Sequence, residues 1–172
     1  MKKRHFLILT MLLAPNNGWA GITPFDGKLE QAGFNESVRK VANPSASVES
    51  LFSIARSFRY VPDSPRDDDW QTAEETDARR SGDCEDKALW LYRELKRNGY
   101  QNVYLVVGKY RPSDTAMHAW VFYTDETGKN IILDPTTQRK PWKAEDFSKN
   151  FYRPLFSYDD LVPGGRSTLA SA

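Results

Sequence analysis

Between residues 84 and 134 the chain spells one amphipathic helix and then three strands whose connections are too short to cross a sheet. The spacing predicts a helix over 84–98, with Ala88, Leu91, Tyr92 and Leu95 on one face and Leu89 and Trp90 flanking it. Asp83 suits the N-cap, Glu85 and Asp86 complement the positive helix start, Lys96 and Arg97 suit the end, and Gly99 stops it. Strands are predicted over 103–110, 117–124 and 130–134, the last two joined through Asp125-Glu126-Thr127-Gly128. Parallel neighbours need a crossover of about a dozen residues or more. These strands are therefore expected to pair antiparallel, giving an α+β fold with the Cys84 helix packed on the sheet.

The flanks are less ordered in pattern. A helix is predicted over 47–58, capped by Ser47, with Val48, Leu51, Phe52, Ala55 and Phe58 at helical spacing. Residues 60–65 end it, and 66–81 read as a polar, charged stretch whose one large apolar residue is Trp70. A short helix is expected over 28–41, before the break at Asn43-Pro44. Trp142, Phe151, Tyr152, Leu155, Phe156 and Tyr158 can pack one more short strand.

Lys2, Lys3 and Arg4, the apolar run 6–14 and Gly18-Trp19-Ala20 have the order of a cleavable export signal. The expected organisation is a signal peptide over 1–20, an extension over 21–46, one domain over 47–160 and a flexible tail over 161–172. The destination is the periplasm or the exterior, without membrane integration, because no run approaches the ~20 apolar residues of a span. Loss of residues 1–20, with three cations and no acids, takes the formal charge from +1 to −2. Such a balance gives no electrostatic reason to hold nucleic acid.

Beyond that leader the chain has one cysteine, Cys84, and one histidine, His118. A single cysteine cannot pair internally, and a lone thiol in an oxidising compartment is a liability unless buried or used. Singly, a buried cysteine, a strand histidine and the aspartate of Asp134-Pro135 each have an ordinary structural explanation. Together they stand in the order Cys, His, Asp at the ends of adjacent elements. A sulfur at a helix start faces unpaired N–H groups and the positive end of the dipole. An imidazole can take its proton, and a carboxylate fixes the imidazole tautomer. Oxyanion donors are expected from the Cys84 N–H and from Gln71 or Trp70, while Trp120 shares the strand face of His118. Against this, Asp83, Glu85 and Asp86 raise the thiol unless they cap the helix and pair with Arg79, Arg80 or Lys87, or hold a cation. Asp67, Asp68 and Asp69 upstream add oxygen ligands suited to Ca²⁺.

Trp70-Gln71-Thr72-Ala73-Glu74-Glu75, Gly82-Asp83-Cys84-Glu85-Asp86, His118 and Leu133-Asp134 resemble the bacterial transglutaminase-like cysteine proteinases of the LapG type. The resemblance runs from about residue 58 to 134. It implies a papain-like α+β core and a periplasmic thiol protease acting on protein or peptide substrates of the cell envelope, surface adhesins among them. It also implies calcium at Asp83 and Glu85, with no cofactor required for the chemistry. The residues alone leave open an acyl transfer to an amine, or a binding module on the same fold.

Overall fold

The structure, a computed structural model, describes residues 45–64, 68–146, 151–159 and 168–169. The leader, the helix expected over 28–41 and most of the C-terminal tail lie outside the described residues. Helix α1 (Val48–Ser57) opens where expected: Ser47 Oγ accepts the Ser50 N–H at 3.1 Å, and Val48, Leu51, Phe52 and Ala55 turn inward. The segment read as a polar stretch contains a second helix, α2 (Ala73–Arg79). A reciprocal cap starts it: Thr72 Oγ1 accepts the Glu75 N–H at 3.1 Å, and Glu75 Oε2 accepts the Thr72 N–H at 2.9 Å. Only Ala73 and Thr76 are buried from it, so it lacks the apolar stripe by which helices are recognised. Two short strands flank α2, β1 (Arg59–Tyr60) and β2 (Ser81–Gly82), paired in parallel.

Helix α3 (Cys84–Arg97) is the axis of the molecule. Strands β3 (Val103–Lys109), β4 (His118–Thr124), β5 (Asn130–Leu133), β6 (Trp142–Lys143), β7 (Arg153–Tyr158) and β8 (Thr168–Leu169) form one sheet in the order β6-β5-β4-β3-β7-β8. Every neighbouring pair is antiparallel. The tail strand expected from its aromatics is β7. The two-residue strands β6 and β8 have no length in which a period of two could show.

Alternation along the strands divides the core into two layers. Val103, Leu105 and Val107 of β3, with Ala119 and Val121 of β4 and Leu133 of β5, face the main core with Ala88, Leu89, Leu91, Tyr92 and Leu95 of α3. Leu89, Leu91 and Leu95 are 0% exposed, and each contributes about 1.5–3 kcal/mol of burial. The opposite face carries a second, aromatic cluster: Val106, Trp120, Ile132 and Tyr152, with Tyr110, Phe122 and Phe151 packed on it. Gly108 sits at the seam. A Cβ there would lie 2.1 Å from Arg153 O and 2.9 Å from Trp120 Cη2, so only glycine lets β3, β7 and Trp120 approach this closely.

Candidate active site

Close packing sets the start of α3. A Cβ at Gly82 would fall 2.4 Å from Asp86 Oδ2, so the glycine of Gly82-Asp83-Cys84 makes room for the Asp86 carboxylate. That carboxylate accepts the Asp83 N–H at 3.2 Å and the Gln71 N–H at 2.8 Å. Gln71 Nε2 also donates to Asp86 Oδ2 and, at 3.4 Å, to Ser81 O. The expectation that Gln71 donates to an oxyanion is thereby corrected, since its amide nitrogen is spent tying the segment before α2 to α3. Trp70, the other expected donor, is 7% exposed and packs in the main core.

Cys84 is the first residue of α3, partly buried, and the backbone N–H of Ala119 faces its sulfur. His118 opens β4 opposite Gly108 of β3. Its ring lies between Trp120, stacked at 6.1 Å, and the edge of Tyr110 at 5.9 Å. Trp120 is 2% exposed and supports the imidazole from within the aromatic layer. Pairing of Val121 with Leu133 brings the residue after β5 back beside the start of β4. There Asp134, 0% exposed, accepts from His118 Nε2 at 2.7 Å.

Asp134 is held from five directions. Oδ1 accepts the N–H groups of Thr136 at 2.9 Å and Thr137 at 3.1 Å. Oδ2 accepts from His118, from Thr137 Oγ1 at 2.6 Å and from Tyr152 Oη at 2.9 Å. Burial pushes the carboxyl up, but the hydrogen bond and charge of His118 and the donors of Thr137 and Thr136 outweigh it and hold it below the usual range. Sequence reasoning missed Tyr152, Thr137 and Gln138, whose side-chain amide meets Tyr152 Oη at 3.0 Å. Asp134-Pro135-Thr136-Thr137 carried a signal, because aspartate often caps the two N–H groups that follow it. Tyr152, eighteen residues away, carried none.

The thiol departs from expectation. Its hydrogen bond goes to Glu85 Oε2 at 2.9 Å, and it is not hydrogen-bonded to the imidazole. Burial, then the charge and hydrogen bond of Glu85, push the thiol up, and the Asp83 charge adds to this against the opposing Ala119 N–H. Burial first, and the flanking acids second, leave the thiol raised despite its place at the helix start. The cations expected to neutralise them are engaged elsewhere: Arg79 with Glu75 at 3.9 Å, Arg80 with Asp77 at 3.1 Å, and Lys87 Nζ with Phe58 O at 3.2 Å.

The acids crowd instead on one another. Burial and the Asp83 charge push Glu85 up to about 9, and burial raises Asp83, so this pair retains a proton at neutral pH. Glu85 shares one cluster of potential ligand atoms with Asp83 and Cys84 and another with Asp63 and Asp68, all within 4.8 Å of one another in each cluster. Asp83 Oδ1 is buried without a hydrogen-bond partner. An orphaned carboxylate oxygen on Asp83, clustered with Glu85, which also clusters with Asp63 and Asp68, fits a hard, oxygen-seeking cation. Asp68 was among the expected upstream ligands, Asp67 lies outside the described residues, and Asp63 was not foreseen.

No protein-family model matches the sequence, and no curated protein matches it. Solved structures share its fold. LapG of Legionella pneumophila in a calcium-bound form aligns with a TM-score of 0.58 at 19% identity, covering 86% of this chain and 81% of that one. Its EGTA-treated form aligns at 0.60 and 21% identity, over 86% and 76%. A third LapG structure aligns at 0.58 and 22%, over 85% and 77%. The likeness is one of fold: the α+β papain-like arrangement of a helix against an antiparallel sheet. No described helix is long and apolar enough to cross a membrane.

Proposed function

We propose that this chain is an exported cysteine peptidase that hydrolyses peptide or isopeptide bonds through Cys84, His118 and Asp134. The observation that carries the reading is the buried Asp134 fixing His118 Nε2 at 2.7 Å, beside the Ala119 N–H that faces Cys84. With Nε2 committed to Asp134, Nδ1 is the nitrogen left to take the thiol proton. The sulfur attacks the scissile carbonyl, the Cys84 N–H serves the oxyanion, and imidazolium returns the proton to the leaving amine. Water, deprotonated by the same imidazole, then hydrolyses the thioester. The leader and the fold shared with LapG support periplasmic work on cell-envelope proteins.

Calcium belongs to the same proposal. Asp83 and Glu85, with Asp63 and Asp68, are the residues that would hold it. Bound there, it supplies positive charge against the carboxylates that now raise the thiol and retain its hydrogen bond. The solved LapG structures described as calcium-bound and EGTA-treated are consistent with such a site.

A biotinylated iodoacetamide probe on the purified mature chain tests the reading. Calcium-loaded protein should label at Cys84 at neutral pH, and Cys84→Ser and His118→Ala should each abolish labelling and peptide cleavage. Equal labelling of native and His118→Ala protein would remove the imidazole from the chemistry.

A further inference from the structure

On the sheet face opposite α3 the loop after β5 and the start of β7 enclose an open groove of about 510 Å³. Its walls are aromatic: Tyr110, Tyr152 and Trp142, the last 39% exposed. Its charged residues are Arg139 and Lys140, both exposed, and no acidic residue lines it. Among the described residues neither cation has a carboxylate partner, and Lys140 Nζ lies 5.7 Å over the Trp142 ring. Glu145 and Asp146 follow β6 in a 3-10 turn but do not line the groove.

The groove is continuous with the site already described. Tyr110 is a wall of it and touches the His118 ring. Thr137 and Tyr152 line it and place their hydroxyls on Asp134 Oδ2. A chain lying in the groove therefore contacts side chains that themselves touch His118 and Asp134. Aromatic walls suit an extended backbone and its apolar side chains, and two cations without counter-charge among the described residues select carboxylates.

We propose that this groove receives an acidic polypeptide segment of the substrate, recognised by Arg139 and Lys140 and seated on Trp142. The proposal names the substrate class of the peptidase and rests on that reading. Binding can nevertheless be tested without turnover, so the two fail separately.

The experiment uses fluorescence anisotropy on the Cys84→Ala protein with three short fluorescein-labelled peptides: alternating Asp-Ala, alternating Lys-Ala, and Gly-Ser. The Asp-Ala peptide should bind, the other two should not, and binding should weaken as salt rises from about 0.05 to 0.5 M. Arg139→Glu/Lys140→Glu should weaken it about tenfold. Trp142→Ala should weaken it at both salt concentrations, and Lys129→Glu, in the β4–β5 turn, should change net charge without effect. Melting temperature reports that each variant is folded. Absence of Asp-Ala binding, equal binding of all three peptides, or an unaltered affinity in the folded double variant would overturn the proposal. Loss of Cys84 probe labelling would instead sink the enzymatic reading and leave the groove standing.

Discussion

Asp134→Asn separates a carboxylate that orients a base from an aspartate that merely makes a turn. The asparagine has two orientations available, and the structure chooses between them. If its amide nitrogen replaced Oδ1, two backbone N–H groups, from Thr136 and Thr137, would face a donor. Neither can reverse its role, and each buried donor left without an acceptor costs about 1–3 kcal/mol. If the nitrogen replaces Oδ2, it meets His118 Nε2 and the hydroxyls of Thr137 and Tyr152. Hydroxyls rotate to accept, and the imidazole accepts by moving its proton to Nδ1. The second orientation wins, and the variant should fold with a loss of about 1–2 kcal/mol, a fall of roughly 2–8 °C in melting temperature. The cost is chemical. Nδ1 now carries a proton toward the thiol, so it cannot accept one. A fixed wrong tautomer has cost a serine protease about 10⁴ in rate, and a fall of about 10³–10⁴ is expected here. Second-order rate constants for iodoacetamide modification of Cys84 across pH 5–9, in calcium, measure it alongside thermal melts. A folded Asp134→Asn protein alkylating at the native rate would refute the tautomer argument.

Tyr152→Phe removes one of three donors on Asp134 Oδ2 but keeps the ring that packs edge-on against Tyr110 at 5.1 Å and Trp120 at 5.3 Å. The expected loss is about 1.5 kcal/mol, near tenfold in alkylation or turnover, with melting little changed. Tyr152→Leu should lose stability as well, and a Phe variant at native rate would show the hydroxyl to be idle. The acidic cluster makes a pH prediction. Glu85 is raised from 4.5 to about 9 and Asp86 from 3.8 to about 6, in both cases chiefly by burial. The folded chain thus keeps protons that the unfolded chain has lost, so stability falls as pH rises across about 4–6 for Asp86 and about 4.5–9 for Glu85. The slope is at most about 1.4 kcal/mol per pH unit for each group. Scanning calorimetry in EGTA from pH 5 to 8 should show this decline and calcium should flatten it; a melting temperature rising with pH in EGTA would contradict the burial of these acids.

How much of this was legible depended on whether a residue's partners were near in sequence. Helix α3 and strands β3, β4 and β5 announced themselves through continuous apolar periodicity, because each buries a full face against the next element in the chain. Helix α2 did not, since it buries only Ala73 and Thr76 and is held by a polar cap. Its Thr72-x-x-Glu75 signature was nonetheless present in the sequence. Cys84, His118 and Asp134 stood out through rarity and position at element ends, and the fold brings the last two into contact. Tyr152 could not be foreseen: its contact with Asp134 exists because β7 crosses back beside β3, and its backbone takes the left-handed conformation at φ 53° to turn inward.

The acids show the limit most clearly. Sequence spacing permitted three outcomes for Asp83, Glu85 and Asp86: capping, pairing with neighbouring cations, or holding a metal. Only the fold distributes them. Asp86 caps α3 and grips Gln71, while the basic residues nearby turn to other partners. Asp83 and Glu85 are left facing Asp63 and Asp68 from the loop before α2. Burial together with Glu85 and Asp83 holds the thiol proton in place, and Glu85 in turn clusters with Asp63 and Asp68. The same arrangement therefore couples the charge state of the cluster to the reactivity of the thiol, so making Asp63 or Asp68 neutral should weaken calcium binding and, with it, the gain in Cys84 alkylation that calcium produces.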